Sequence, residues 1–183
     1  IDGMAVAEVL AETFGDVRVI VNRMLSEVGP LSELWLPLGG GGGIASDAAR
    51  RFDEVMRGDL PVLTFPAGLC SRRRHGIVSD PDWKPAFVRR ALESRRSIVP
   101  VHVGGSLSDR FYRVASLRRA LGLGTRLESL LLVDEMFRQC GTTVRLAVGR
   151  PVDAAELRAC GSAAAACDMV RGRVYALRCT VPE

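Results

Sequence analysis

Apolar residues return to one side of the opening stretch at helical spacing: Met4, Val6, Val9, Leu10 and Phe14 share a face, Asp2 stands where an N-cap belongs and Gly15 where a C-cap belongs. This pattern predicts a helix. The apolar run at 17–21 then reads as a buried strand, and 22–37 is irregular apart from a short strand expected over 34–36. Beyond five consecutive glycines at 39–43, Ser46 and Asp47 are placed to cap a helix through Met56, whose apolar face is Ala48, Phe52, Val55 and Met56.

The most informative stretch is 61–105. A β-prone run ends at Pro66 and Gly68, so 65–68 reads as a strand end turning into a loop that carries Ser71, Arg72, Arg73 and Arg74. Arginines just beyond a strand end suit a planar, two-toothed grip on phosphate or carboxylate. A helix is expected over 82–95 with Pro85 tolerated in its first turn, and Trp83, Phe87, Val88 and Leu92 point inward. Trp83 serves as a core anchor on the plainer reading and as a ligand contact on the sharper one. A second apolar run, Ile98-Val99-Pro100-Val101-His102-Val103, ends in glycines. Strand, loop, helix and strand in that order are the grammar of a βαβ unit.

Further on, helices are expected over 106–121 and 127–140, a strand over 143–148, and two closing helices over 153–178. In the first of these helices Arg118 shares a face with Leu107, Phe111 and Val114, which spoils a simple core face. Either it snorkels toward lipid headgroups or it meets a carboxylate within the fold. The sum is an α/β fold, a central mixed sheet flanked by helices.

Composition narrows the class. A chain of 183 residues, 48% of them hydrophobic, fits one domain, 1–183, and its net charge of +4 comes almost wholly from arginine, Lys84 being the sole lysine. Five cysteines without Cys-x-x-Cys spacing indicate neither a disulfide framework nor a zinc site, and a reducing compartment is the simplest setting. No apolar run approaches the ~20 residues of a membrane-spanning helix. The opening Ile1-Asp2-Gly3-Met4 runs straight into helix, and such an abrupt start leads us to expect a preceding portion.

Several catalytic constellations fail. Gly104-Gly105-Ser106-Leu107-Ser108 breaks the nucleophile-elbow pattern at its last position. Cys70 and His75 are near enough for a thiolate pair, yet the surrounding arginines more simply bind an anion. His75 and His102 are too few to argue for a metal, so neither metal nor cofactor is expected. The glycine run lacks the Gly-Lys-Ser/Thr ending of a phosphate cradle and reads as a surface loop. At 5% aromatics, nucleic acid is not an expected partner.

The blocks Phe65-Pro66-Ala67-Gly68, Ser71-Arg72, Trp83-Lys84 with Phe87, Ile98-Val99-Pro100-Val101, Leu132 to Phe137, and Val148-Gly149-Arg150-Pro151 together resemble the glycerophospholipid acyltransferase superfamily. They are most similar to its hemolysin-like, lyso-ornithine-lipid acyltransferase branch. Where the wider superfamily reads Phe-Pro-Glu-Gly, Ala67 stands in place of the glutamate, as in that branch. The resemblance implies an acyltransferase-like fold and O-acyl transfer from an acyl carrier protein or acyl-CoA to the hydroxyl of a lysolipid. Its base is the histidine of a His-x-x-x-x-Asp motif, whose aspartate orients the ring. Asp2-Gly3 matches the end of that motif, so the resemblance makes Asp2 the catalytic aspartate and puts the histidine five residues before it, ahead of Ile1. It implies Phe65, Pro66, Ala67, Gly68, Ser71 and Arg72 as substrate-binding residues, Arg72 facing the acceptor's anionic headgroup.

The plainer role of Asp2 is a helix N-cap. Against the enzyme stands a second function class, a non-catalytic basic domain that binds anionic lipid or nucleic acid. The enzyme reading places the chain in the cytoplasm, peripheral on the inner face of the cell membrane, with Arg72, Arg73 and Arg74 supplying salt-sensitive contact.

Overall fold

A computed structural model of the chain describes residues 2–21, 35–37, 43–74, 76–122, 131–139 and 141–180. Helix α1 (Asp2–Phe14) forms as its spacing predicts, buries Val6 and Ala7, and is closed by the Gly15 amide on the Ala11 carbonyl at 2.8 Å. Strand β1 (Arg18–Val21) lies between β2 (Trp35–Pro37) and β3 (Val62–Leu63), and both pairings are parallel. Val17 and Val19 meet Ala7 to make a first small core, with Leu10, Ala11 and Leu63 at its margin.

Helix α2 (Gly43–Arg57) begins before the expected cap, so Ser46 and Asp47 lie within it. Of the glycine run, only Gly43 belongs to the described residues. Helix α3 (Ala86–Glu93) is shorter than the expected 82–95: Pro85 occupies its N-cap, and Trp83 precedes it. Helix α4 (Asp109–Ala120) also starts later than expected, because the Ser108 hydroxyl accepts the Phe111 amide and fixes the N-cap there. Its buried side is Phe111, Tyr112 and Ala115, with Arg118 half-buried. Helix α5 (Leu131–Arg138) covers the described part of the helix expected over 127–140.

Two expectations are corrected. The three arginines expected on a loop form a strand, β4 (Arg72–Arg74), paired antiparallel with β5 (Ile77–Ser79). Gly76 supplies the left-handed backbone, φ 81°, in the reversal between them. The expected βαβ unit does not close either: β6 (Val101–Val103) pairs antiparallel with β7 (Leu146–Val148), while β3 pairs with β1. Parallel pairing of β3 with β6 would need both in one sheet. Among the described residues the α/β architecture thus carries three small sheets, one parallel and two antiparallel.

A second core gathers Val88 and Ala91 of α3, Val152, Leu157 of α6 (Ala154–Ala159), and Ala166, Cys167 and Val170 of α7 (Ala163–Leu177). Trp83 and Phe87 pack on it with their rings edge to face at 6.1 Å, so Trp83 is the core anchor of the plainer reading. Asp153 and Ser162 cap α6 and α7 through the amides of Glu156 and Ala165.

Candidate functional site

The turn 65–68 is built for tightness. The Gly68 amide donates to the Phe65 carbonyl at 2.9 Å, Pro66 sits where a fixed φ is useful, and Gly68 takes φ 63°. A side chain at Gly68 would strain that backbone. The Lys84 amide, 3.1 Å from the Pro66 carbonyl, ties the turn to the approach of α3. The Phe65 ring, 43% exposed, projects toward the first turn of α1: a Cβ added to Gly3 would stand 3.3 Å from its Cε2. Gly3 therefore allows a contact that a larger residue would push apart, and it sets Asp2-Gly3 beside the Phe65 end of Phe-Pro-Ala-Gly. Asp2 itself is exposed.

Beyond the turn, Cys70 lies in the electrostatic reach of both Arg72 and Asp2. Burial pushes its thiol up from its ordinary pKa, Arg72 opposes that, and Asp2 adds to it. A thiol held protonated is a poor nucleophile, which disfavours a Cys70 thiolate mechanism.

The β4–β5 hairpin leans on α4 through stacked cations. The Arg72 guanidinium lies 5.6 Å from the centre of the Phe111 ring, and that of Arg73 4.7 Å from the centre of Tyr112. Arg73 also pairs with Asp109 at 2.8 Å. Ser71 donates its hydroxyl to Asp80 Oδ1 at 2.6 Å, so that proton is engaged within the fold. Arg74's side chain and His75 lie outside the described residues.

Of the residues singled out from the sequence, the structure brings Asp2, Phe65 to Gly68, and Arg72 to one side of the molecule, the Gly3–Phe65 contact and the charges felt by Cys70 marking the meeting point. Tyr112 belongs to the same neighbourhood. Burial raises its phenol pKa; Arg73 lowers it, while Cys70 and Asp2 raise it. His102, on β6, senses Asp2 and Asp80 as well, but burial and Arg178 hold its pKa below 6.5. Among the described residues no group of acidic, histidine or cysteine side chains is arranged for a metal, and Cys70, Cys160, Cys167 and Cys179 are free thiols.

Three residues were not found by sequence reasoning. Glu135, 2% exposed, accepts from the Ser108 amide at 2.7 Å and from the Ser108 hydroxyl, joining α5 to the start of α4. Its place one turn from Leu131 and Leu132, on the inward side of α5, was the available signal. Arg96 acts through long-range hydrogen bonds that leave no local pattern, and Asp80 does so apart from its bond with nearby Trp83.

A family model described as Acyltransferase matches residues 1–182. Two curated relatives, both named lyso-glycine lipid O-acyltransferase, come from Bacteroides thetaiotaomicron and Phocaeicola vulgatus. Each is 36% identical over 152 residues, which is 82% of this chain and 56% and 54% of theirs. The chain spans about half the length of the curated relatives it matches. No solved structure matches it.

Proposed function

This chain belongs to the acyltransferase family, and from that premise we propose that it transfers a fatty acyl group from an acyl thioester to the hydroxyl of a lysolipid. The observation that carries the proposal is the seating of the Phe65 ring on Gly3, which sets the Asp2 end of one motif against the turn of another. Acyl transfer needs an oriented proton acceptor near the acceptor hydroxyl and a shaped wall beside the thioester, and the contact sets the aspartate proposed to orient that acceptor beside the turn proposed as the wall.

In the proposed reaction the lysolipid oxygen attacks the thioester carbonyl carbon. A C–O bond forms, the C–S bond breaks, and the hydroxyl proton passes through the imidazole of the family's histidine to the departing thiolate. Asp2 orients that imidazole and stabilises its protonated form. Phe65, Pro66, Ala67 and Gly68 form the wall, and Arg72 faces the acceptor's headgroup, a phosphate or carboxylate. The donor is acyl carrier protein or coenzyme A thioester.

The acceptor lives in a membrane, so we place the protein on the cytoplasmic face, peripheral. Arg73 is held by Asp109 and Tyr112, which moves the bilayer contact from the arginine trio to the outer face of α4. There Arg113 and Leu117 share a helical stripe with Leu121 at the C-cap, Arg110 on that stripe pairs with Asp134 at 3.2 Å, and the two leucines are 61% and 63% exposed. Arginines with outward leucines are the makings of an interfacial helix. The test of function is transfer of a labelled acyl chain from thioester to a panel of lysolipids by a chain that also carries the histidine. Ester formation that depends on Asp2 supports the proposal, and anionic-lipid binding without transfer favours the non-catalytic alternative.

A further inference from the structure

We infer that Asp80 is a positioning residue that sets the strand presenting Arg72, with α7 holding it from behind. The inference rests on the acyltransferase reading of Arg72. Asp80 directly follows β5, and the register Arg72↔Ser79 makes Ser71 and Asp80 the next rung of the hairpin. That rung is made by side chains: the Ser71 hydroxyl donates to Asp80 Oδ1 at 2.6 Å. Trp83 Nε1 donates to the other oxygen, Oδ2, at 3.1 Å. Asp80's own amide donates to the Tyr175 hydroxyl at 2.9 Å, and its carbonyl accepts from Arg171 at 3.2 Å. Arg171 stacks over the Tyr175 ring at 5.4 Å, so the two residues of α7 brace each other.

One residue is therefore held by the hairpin, the approach to α3 and the C-terminal helix. Both carboxylate oxygens and both main-chain groups are engaged, which fixes Asp80 in place rather than leaving it for substrate. What it fixes is the base of β4, immediately before Arg72. The hairpin also leans on α4, where Arg72 and Arg73 stack on Phe111 and Tyr112 and Arg73 pairs with Asp109 at 2.8 Å. Loosening the base lets the guanidinium of Arg72 drift while leaving the Phe65–Gly68 turn, held by Lys84 and Gly68 amides, where it was.

The substitution that tests this is Asp80→Asn. With its oxygen accepting from Trp83, the amide turns its N–H on the Ser71 hydroxyl, so the charge-assisted bond from Ser71 is replaced by a weaker neutral one of reversed direction at nearly constant volume. In an active enzyme the KM for lysolipid should rise about tenfold while the KM for thioester is unchanged. Ser71→Ala should act in the same direction, and Ser71→Thr, which keeps the hydroxyl, should restore the wild-type value. Hydrogen exchange of the hairpin amides reads the positioning without any activity: Asp80→Asn should speed exchange across 72–79 and leave α1 unchanged. Unchanged hairpin exchange would overturn the inference, as would equal rises in both KM values. Failure of the acyltransferase reading looks different, since wild type would then form no ester while the hairpin still loosened in the variant.

Discussion

Removing Arg96 should cost this fold more than removing any surface arginine. Its Nε donates to the Met56 carbonyl at 3.0 Å, one terminal nitrogen to Leu60 at 2.8 Å, and the other to Val55 at 3.1 Å and to Gly58. These carbonyls are the end of α2 and the link into β3, where helix bonding runs out, although Val55 also accepts the Gly58 amide at 3.2 Å. Arg95 takes a left-handed φ of 54°, and the Arg96 amide returns to the Ala91 carbonyl at 2.9 Å, which turns the side chain toward α2. Bonds from a charged donor are worth about 1.5–3 kcal/mol each, but they share one cation and water can rehydrate part of the exposed carbonyls, so the bonds do not add. With a cation at a helix C-terminus contributing about 0.3–1 kcal/mol more, Arg96→Ala should lose about 3 kcal/mol. At roughly 2–4 °C per kcal/mol for a chain of this size, Tm should fall by about 6–12 °C. Thermal unfolding followed by circular dichroism measures it, with Arg96→Lys as the control. Lysine keeps the charge but not the fork, and should recover less than half of the loss. A loss under about 1 kcal/mol, or a lysine variant equal to wild type, would refute the account of Arg96 as the latch between α2 and α3.

Replacing Arg72 with alanine should raise the KM for lysolipid at least tenfold, a charge-assisted hydrogen bond being worth about 1.5–3 kcal/mol; an unchanged KM in a folded variant would remove Arg72 from the headgroup site. His102 is held below its ordinary pKa of 6.5, first by burial and then by Arg178, with Asp80 and Asp2 opposing. The unfolded chain therefore takes up the proton first as pH falls, so stability should drop from about pH 6.5 downward by at most about 1.4 kcal/mol per pH unit. His102→Gln should flatten that slope in denaturant titrations, and an identical slope would assign it elsewhere. Flotation with anionic vesicles should be lost at high salt and weakened about fivefold by Arg113→Ala. Equal flotation with neutral vesicles would contradict the placement of α4 at the bilayer.

The opening helix and β1 were legible from their apolar pattern and the Gly15 cap, and the closing helices from the alanine-rich tail, whose caps Asp153 and Ser162 are set by contacts in the fold. The β4–β5 hairpin was not. Arg72-Arg73-Arg74 has no apolar alternation, and its strand is stabilised from outside, by Phe111, Tyr112 and Asp109 on a helix distant in sequence. The same limit hid the partner of β6, since antiparallel pairing of Val101–Val103 with Leu146–Val148 depends on a long connection rather than on either strand's residues. At the site, the motifs named Asp2 and the turn 65–68, but not that Gly3 lets them meet. Its block made Ser71 an expected substrate contact, yet its hydroxyl donates to Asp80, which only the folded hairpin brings within reach.

The most direct measurement is single-turnover acyl transfer from a labelled thioester to lysolipid by a chain that carries a histidine five residues before Asp2, compared with its Asp2→Asn variant and with residues 1–183 alone. A positioned base and its orienting aspartate contribute about a hundred- to ten-thousand-fold in rate. Asp2→Asn should therefore lower turnover by at least about a hundredfold with little change in Tm, and the chain without the histidine should form no ester above background. Equal rates for the three proteins would contradict the assignment of Asp2 and of the base it orients.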